Sequence, residues 1–189
     1  RDYLLQEVAI IKGWVKYHWL QYLQERSPNT PAIIKKLSPP GQRSDLTDQR
    51  HFWHTVLKKS TQRCIYTGTK IDPDDFTLDH FVPWSFVCHD QLWNLIPVSR
   101  DVNSQTGYQL PLKRDIDAFI EAQHHALLIN RNQMHNAQWL RATGSYVDAL
   151  QMPHTDLLDR TQLNQAYRNT LGPLISLAQQ MGFPAFHRL

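Results

Sequence analysis

The sequence predicts a mostly helical α+β fold, with a small β-rich centre flanked by N- and C-terminal helices. Three observations carry this. Apolar residues recur at three- and four-residue steps near both ends of the 189-residue chain, the spacing that lines one face of a helix. Between about residues 64 and 98 the texture shifts to β-branched and aromatic residues around Gly68 and two short strand-like runs. Pro, Gly, Ser and Asp cluster where one texture gives way to the next.

Along residues 2 to about 25, Leu4, Leu5, Val8, Ile11, Val15, Trp19, Tyr22 and Leu23 form one apolar stripe, so a long helix is expected there, stopped at Ser27-Pro28. Thr30-Pro31 reads as a cap followed by Pro at the first helical position, opening a short helix through about Leu37. After the break at Ser38-Pro39-Pro40-Gly41, a helix from about Asp45 to Gln62 carries Leu46, Trp53, Val56 and Leu57 inward. Residues 64–71 read as a tight hairpin about Thr67-Gly68, residues 76–81 as a strand and residues 95–98 as a second short strand. Ser99 is placed to cap a short helix reaching about Gln105. Beyond it, helices are expected near 115–130, 133–151, 156–170 and 174–181, interrupted at Pro153 and Gly172-Pro173. The segments are thus 1–62, 63–112 and 113–189. Trp14, Trp19, Trp53 and Trp139 fall at helical spacing and are expected in the core, while His124-His125 are expected on a solvated helix face.

Composition sets limits. Twenty Lys+Arg against seventeen Asp+Glu leave a net charge of +3, which permits a nucleic-acid partner without establishing one. No apolar run approaches 18 residues, so no membrane partner is expected. Two cysteines, Cys64 and Cys88, are too few for a disulfide framework or a four-cysteine zinc site. Reduced thiols and an N-terminus without a basic stub and apolar stretch point to a cytoplasmic protein. The chain opens on Arg1 and not on Met, as a module of a longer chain would.

The chemistry concentrates in the centre. Asp79-His80 end one expected strand, Asn94 follows fourteen residues after His80, and Asn103 lies nine residues further on, on the expected helix. A strand end and a helix face that meet there let Asp79 and Asn103 direct oxygens at one cation, a ligand set suited to Mg²⁺ or Mn²⁺. His80 points to the other side of the strand and has the intrinsic basicity to take a proton from water near neutral pH.

With these residues in place the sequence resembles a family. Leu78-Asp79-His80-Phe81-Val82-Pro83-Trp84-Ser85-Phe86, then Leu92-Trp93-Asn94-Leu95, then Asp101-Val102-Asn103, resembles the HNH (ββα-metal, or His-Me finger) endonuclease motif in its His-Asn-Asn form. It is also similar to the HNH domain of RNA-guided CRISPR nucleases. The resemblance spans roughly residues 64–112. It implies a one-metal phosphodiesterase: Asp79 and Asn103 hold the cation, His80 activates the attacking water, and Asn94 orients the catalytic His in its loop. It implies DNA, double-stranded first, as substrate, with a 5′-phosphate left on cleavage. A setting in defence against foreign DNA, as a restriction-like enzyme or a CRISPR-complex effector, is the one it suggests most. The partners implied are DNA and either a larger protein, an RNA-guided complex or a second copy of the chain.

Three departures accompany the resemblance. Relatives often carry Cys-x-x-Cys before the motif, whereas Cys64 is followed by Thr67 at the second position, so a structural zinc is not expected. Cys64, Cys88 and His89 have no recognisable ligand spacing. The Lys that often follows the last motif residue by three is Thr106 here, which leaves Lys113, Arg114 or His89 as candidate phosphate contacts. The alternative is a catalytically inactive nucleic-acid-binding or assembly module that keeps the fold.

Overall fold

The computed structural model describes residues 7–27, 33–34 and 45–186. It divides into two compact units, Arg1–Arg43 and Ser44–Leu189. The described part of the first is essentially helix α1, Val8–Arg26. The expected short helix near 31–37 lies almost wholly outside the described residues. In α1, Trp14 and Trp19 are 64% and 51% exposed, against the expectation of a core position. Helical spacing makes an apolar stripe but not the surface that covers it. The described residues of this unit supply no second face to bury the stripe.

The second unit is built around two short strands. Helix α2, Thr47–Lys59, opens on Asp45, whose carboxylate accepts from the Thr47 amide at 3.0 Å and its hydroxyl at 2.6 Å. It buries Phe52, Trp53, Val56 and Leu57. The hairpin expected at 64–71 is reduced to one bridge pair, Arg63 with Lys70, turning through Gly68 at φ +73°. That left-handed conformation suits glycine, which has no Cβ to clash. Strands β1, Thr77–His80, and β2, Leu95–Val98, pair antiparallel with Asp79 opposite Ile96 and His80 opposite Leu95. Between them lie helix α3, Trp84–Val87, and a single 3₁₀ turn, Leu92–Asn94. Helix α4, Arg100–Thr106, follows β2 at once, with the Ser99 hydroxyl accepting from the Val102 amide, and packs on β1. The result is the ββα arrangement expected from the sequence.

Helices α5 (Lys113–Arg131), α6 (Asn136–Leu150) and α7 (Arg160–Gln180) back this centre. Phe119 of α5 stacks on Phe81 at 3.9 Å between ring centroids, and Tyr167 of α7 meets Phe119 edge-on at 5.6 Å. Buried polar bonds fix the register of the packing. Gln123 donates to the Leu95 carbonyl at 2.8 Å and accepts from the Tyr146 hydroxyl at 2.6 Å, and the Tyr167 hydroxyl donates to the Trp93 carbonyl at 2.9 Å. Each of these side chains is fully buried, so breaking one bond would strand a polar group away from water at a cost of about 1–3 kcal/mol. The C-terminal helices therefore hold β2 and its preceding turn from behind.

Two expectations are corrected here. Gly172-Pro173 does not end a helix, because α7 runs unbroken from Arg160 to Gln180 with Pro173 inside it. Leu163, Tyr167, Leu171, Ile175 and Ala178 form one buried face on both sides of the proline, and that burial offsets the lost backbone bond. His124 and His125 are packed, not solvated: His124 Nε2 lies 3.0 Å from the Leu158 carbonyl and His125 Nε2 lies 3.1 Å from the Ser60 hydroxyl. Trp53 and Trp139 are buried as expected. Among the described residues no helix is long and apolar enough to cross a membrane.

Candidate active site

Asp79 and His80 are consecutive on β1 and so face opposite ways. The Asp79 side goes into the protein. Its carboxyl is only 4% exposed and accepts from the Tyr66 hydroxyl at 3.2 Å. The Thr106 hydroxyl and the His80 backbone amide also bond it. Burial raises its pKa to about 7, against which these three bonds pull downward. All three donors are neutral, and among the described residues no Lys or Arg pairs with Asp79. A buried carboxylate that lacks a counter-charge is the environment a cation relieves.

Tyr66 sits in the same buried space. Its hydroxyl pKa is raised well above the usual tyrosine value, first by burial and then by the Asp79 charge, its bond to Asp79, and the charge of Asp115. Tyr66 therefore stays a neutral donor. Asp115 itself is buried and caps α5, accepting from the Leu112 amide at 3.2 Å.

Thr106 holds the position where a phosphate-contacting Lys was expected. It is buried, with its hydroxyl 3.2 Å from the Asn103 carbonyl as well as bonded to Asp79. A hydroxyl has one proton to give. Toward an ionised Asp79 it donates; against a protonated Asp79 it can accept the acid proton and donate to Asn103. In this fold the position thus faces the carboxyl, not the surface. Asn103 is half-buried on α4, which packs on β1.

The His80 side goes toward the loop. His80 Nε2 lies 3.0 Å from Asp90 Oδ1, with the two side chains 15% and 9% exposed. Asp90 in turn is tied to α2, because Gln49 Nε2 donates to the Asp90 carbonyl at 3.1 Å.

Asn94 is fully buried and closes the loop on itself. Its Oδ1 accepts from the Val82 amide and its Nδ2 donates to the Val82 carbonyl, each at 2.8 Å, while its own carbonyl accepts from the Phe81 amide at 2.9 Å. The residues that follow His80 are thereby fixed to the turn entering β2. An amide is needed, since the clamp takes one acceptor and one donor. Asn94→Ala leaves a buried amide and carbonyl of Val82 unpaired, so a loss of about 2–4 kcal/mol is expected. Urea denaturation checks it, and a change below about 1 kcal/mol would show that the clamp does not hold the loop.

His89 lies in the same loop, turned toward its neighbours: its Nδ1 accepts from the Gln91 amide at 3.3 Å and its ring is tilted on Trp93 at 5.5 Å. Lys113 and Arg114 are exposed in the first turn of α5. Neither is linked to Asp79 or His80 by a contact described above. Both cysteines are buried free thiols, and among the described residues no three His, Cys, Asp or Glu side chains converge as a metal cluster.

Tyr66, Asp90, Thr106 and Gln49 are the site's neighbours that residue spacing alone did not single out. For Asp90 the only trace in the sequence is a carboxylate inside the loop between His80 and Asn94, and Gln49 leaves none. No curated protein and no solved structure matches the chain. Residues 64–112, which carry Asp79, His80, Asn94 and Asn103, match the family model of HNH endonucleases, and that match supports a nuclease at this site.

Proposed function

We propose that the protein is a metal-dependent HNH endonuclease that hydrolyses phosphodiester bonds of DNA. The observation that carries the reading is the division of labour at β1. One residue, Asp79, is a buried carboxylate with no cationic partner among the described residues; the next, His80, is an imidazole held by Asp90 in the loop that follows. Asp79 and Asn103 would hold a Mg²⁺ or Mn²⁺ ion, since oxygen ligands of this kind fit either. Bound there, such an ion would supply charge stabilisation for the phosphodiester chemistry.

The chain's own residues do the rest. His80 takes a proton from a water molecule, whose oxygen bonds to phosphorus as the bond to the 3′ oxygen breaks. The leaving oxygen takes its proton from solvent, and the new terminus is a 5′-phosphate. Asn94 keeps His80 in register by clamping Val82, two residues on. Tyr66, and Thr106 from α4, hold the Asp79 carboxyl. Lys113, Arg114 and His89 are the candidate phosphate contacts, with the two exposed cations adding charge that attracts the backbone of the nucleic acid.

The sequence carries no zinc-finger or helix-turn-helix signature and no strongly basic arm, and on this reading choice of sequence comes from shape, from another domain or from a guide strand in a larger assembly. One such site cuts one strand, and a double-strand break requires a second copy or a second event. Defence against foreign DNA is the setting this reading favours.

The test is conversion of supercoiled plasmid with Mg²⁺ or Mn²⁺. Nicked circles are expected first, and EDTA abolishes them. Cleavage that persists in EDTA after dialysis would overturn the metal dependence.

A further inference from the structure

We propose that Asp90 is the positioning residue of the catalytic histidine, and that Gln49, on a helix outside residues 64–112, fixes Asp90 for that task. The inference rests on the reading of His80 as the general base.

Three observations converge. Asp90 Oδ1 lies 3.0 Å from His80 Nε2, within the range of a charge-assisted hydrogen bond. Both side chains are largely withdrawn from water, 15% and 9% exposed, so the pair is screened far less than a surface ion pair. The Asp90 backbone is anchored from α2, where Gln49 donates to its carbonyl at 3.1 Å. Helix α2 is itself seated in the core through Phe52, Trp53, Val56 and Leu57. Gln49 cannot be turned end for end without loss, since its carbonyl oxygen would then oppose the Asp90 carbonyl.

The chemical consequence follows from what a carboxylate can do. It accepts and does not donate, so Nε2 carries the ring proton and the basic lone pair of neutral His80 is on Nδ1. Once His80 has taken a proton, the adjacent negative charge stabilises the imidazolium. Asn94 and Asp90 thus divide the work, the first fixing the backbone that follows His80 and the second fixing the plane and tautomer of its ring. The matched family segment supplies the histidine, while a helix before it supplies the anchor.

The experiment compares the parent, Asp90→Asn, Asp90→Glu, Gln49→Ala and His80→Ala in metal-supported plasmid nicking, with the ring tautomer of His80 read by long-range ¹H–¹⁵N correlation. Asp90→Asn is expected to lower kcat about 10- to 100-fold with KM unchanged. The same variant should shift the tautomer population away from the Nε2-protonated form, because an amide can donate to Nε2 as well as accept from it, where a carboxylate only accepts. Asp90→Glu restores part of the rate, and Gln49→Ala shows a smaller loss in the same direction. A parent-like rate or an unchanged tautomer in Asp90→Asn overturns the proposal. A parent that does not cleave, or that cleaves as fast as His80→Ala, instead overturns the reading of His80 as base. In that case the tautomer still reports whether Asp90 sets the ring.

Discussion

Replacing His80 with alanine should lower the nicking rate by about 10²- to 10⁴-fold, the range that a positioned general base contributes, while the fold survives. The imidazole is not part of the hydrophobic core; its bond is to Asp90 in the loop. Its removal loses one charge-assisted hydrogen bond, worth about 1–3 kcal/mol. Water entering the space left by the ring can solvate the Asp90 carboxylate, so the lower end applies. Single-turnover cleavage at saturating metal, beside a thermal melt, separates the two effects. A variant that melts like the parent yet fails to nick places His80 in the chemistry. One that nicks at the parent rate removes it, and with it the mechanism above. One that nicks slowly only because it is unfolded would show as a lowered melting temperature that a lower assay temperature rescues.

The elements nearest the site were the most legible in the sequence. Leu95–Val98, Ser99 and the helix after it were placed because each obeys a local rule: a short apolar run, a hydroxyl cap, and an Asp in the first turn. Asp79, His80, Asn94 and Asn103 stand out through spacing, because a strand, a loop and a helix follow one another in that order. What was not legible depends on tertiary partners. Trp14 and Trp19 carry a helical stripe whose cover is no property of the helix. Pro173 breaks a helix by local rules, but the buried face of α7 continues through it. His124 and His125 look solvated along the chain and are packed because Leu158 and Ser60 meet them from other elements. Asp90, Tyr66 and Gln49 belong to the same class, since each becomes relevant only when an atom distant in sequence arrives at hydrogen-bond distance.

Asp79→Asn is the second large effect, and it runs in opposite directions for activity and stability. The carboxyl titrates near 3.8 when solvated and at about 7 in the metal-free folded protein, where burial disfavours its charge. Between those values the folded state holds more protons than the unfolded state, so the metal-free protein loses stability as pH rises through that window. Above about pH 8 the loss levels off near 4 kcal/mol, the upper figure set by the gap between the two values. Asparagine carries no charge to bury, and its Oδ1 still accepts from Tyr66. At pH 8 the metal-free variant should therefore melt several degrees above the parent, and the difference should vanish near pH 4. Cleavage should be lost at every pH, because the cation loses its one carboxylate ligand. Added Mg²⁺ or Mn²⁺ should then raise the melting temperature of the parent, increasingly with pH as the ion displaces the Asp79 proton, and leave the variant where it was. Melting curves from pH 4 to 8, with metal and with EDTA, test both halves. Equal slopes for parent and variant would show that Asp79 is not the strained carboxyl, and equal stabilisation by metal would place the cation elsewhere. The expected pattern instead marks a residue that weakens the empty protein and is kept for what it binds.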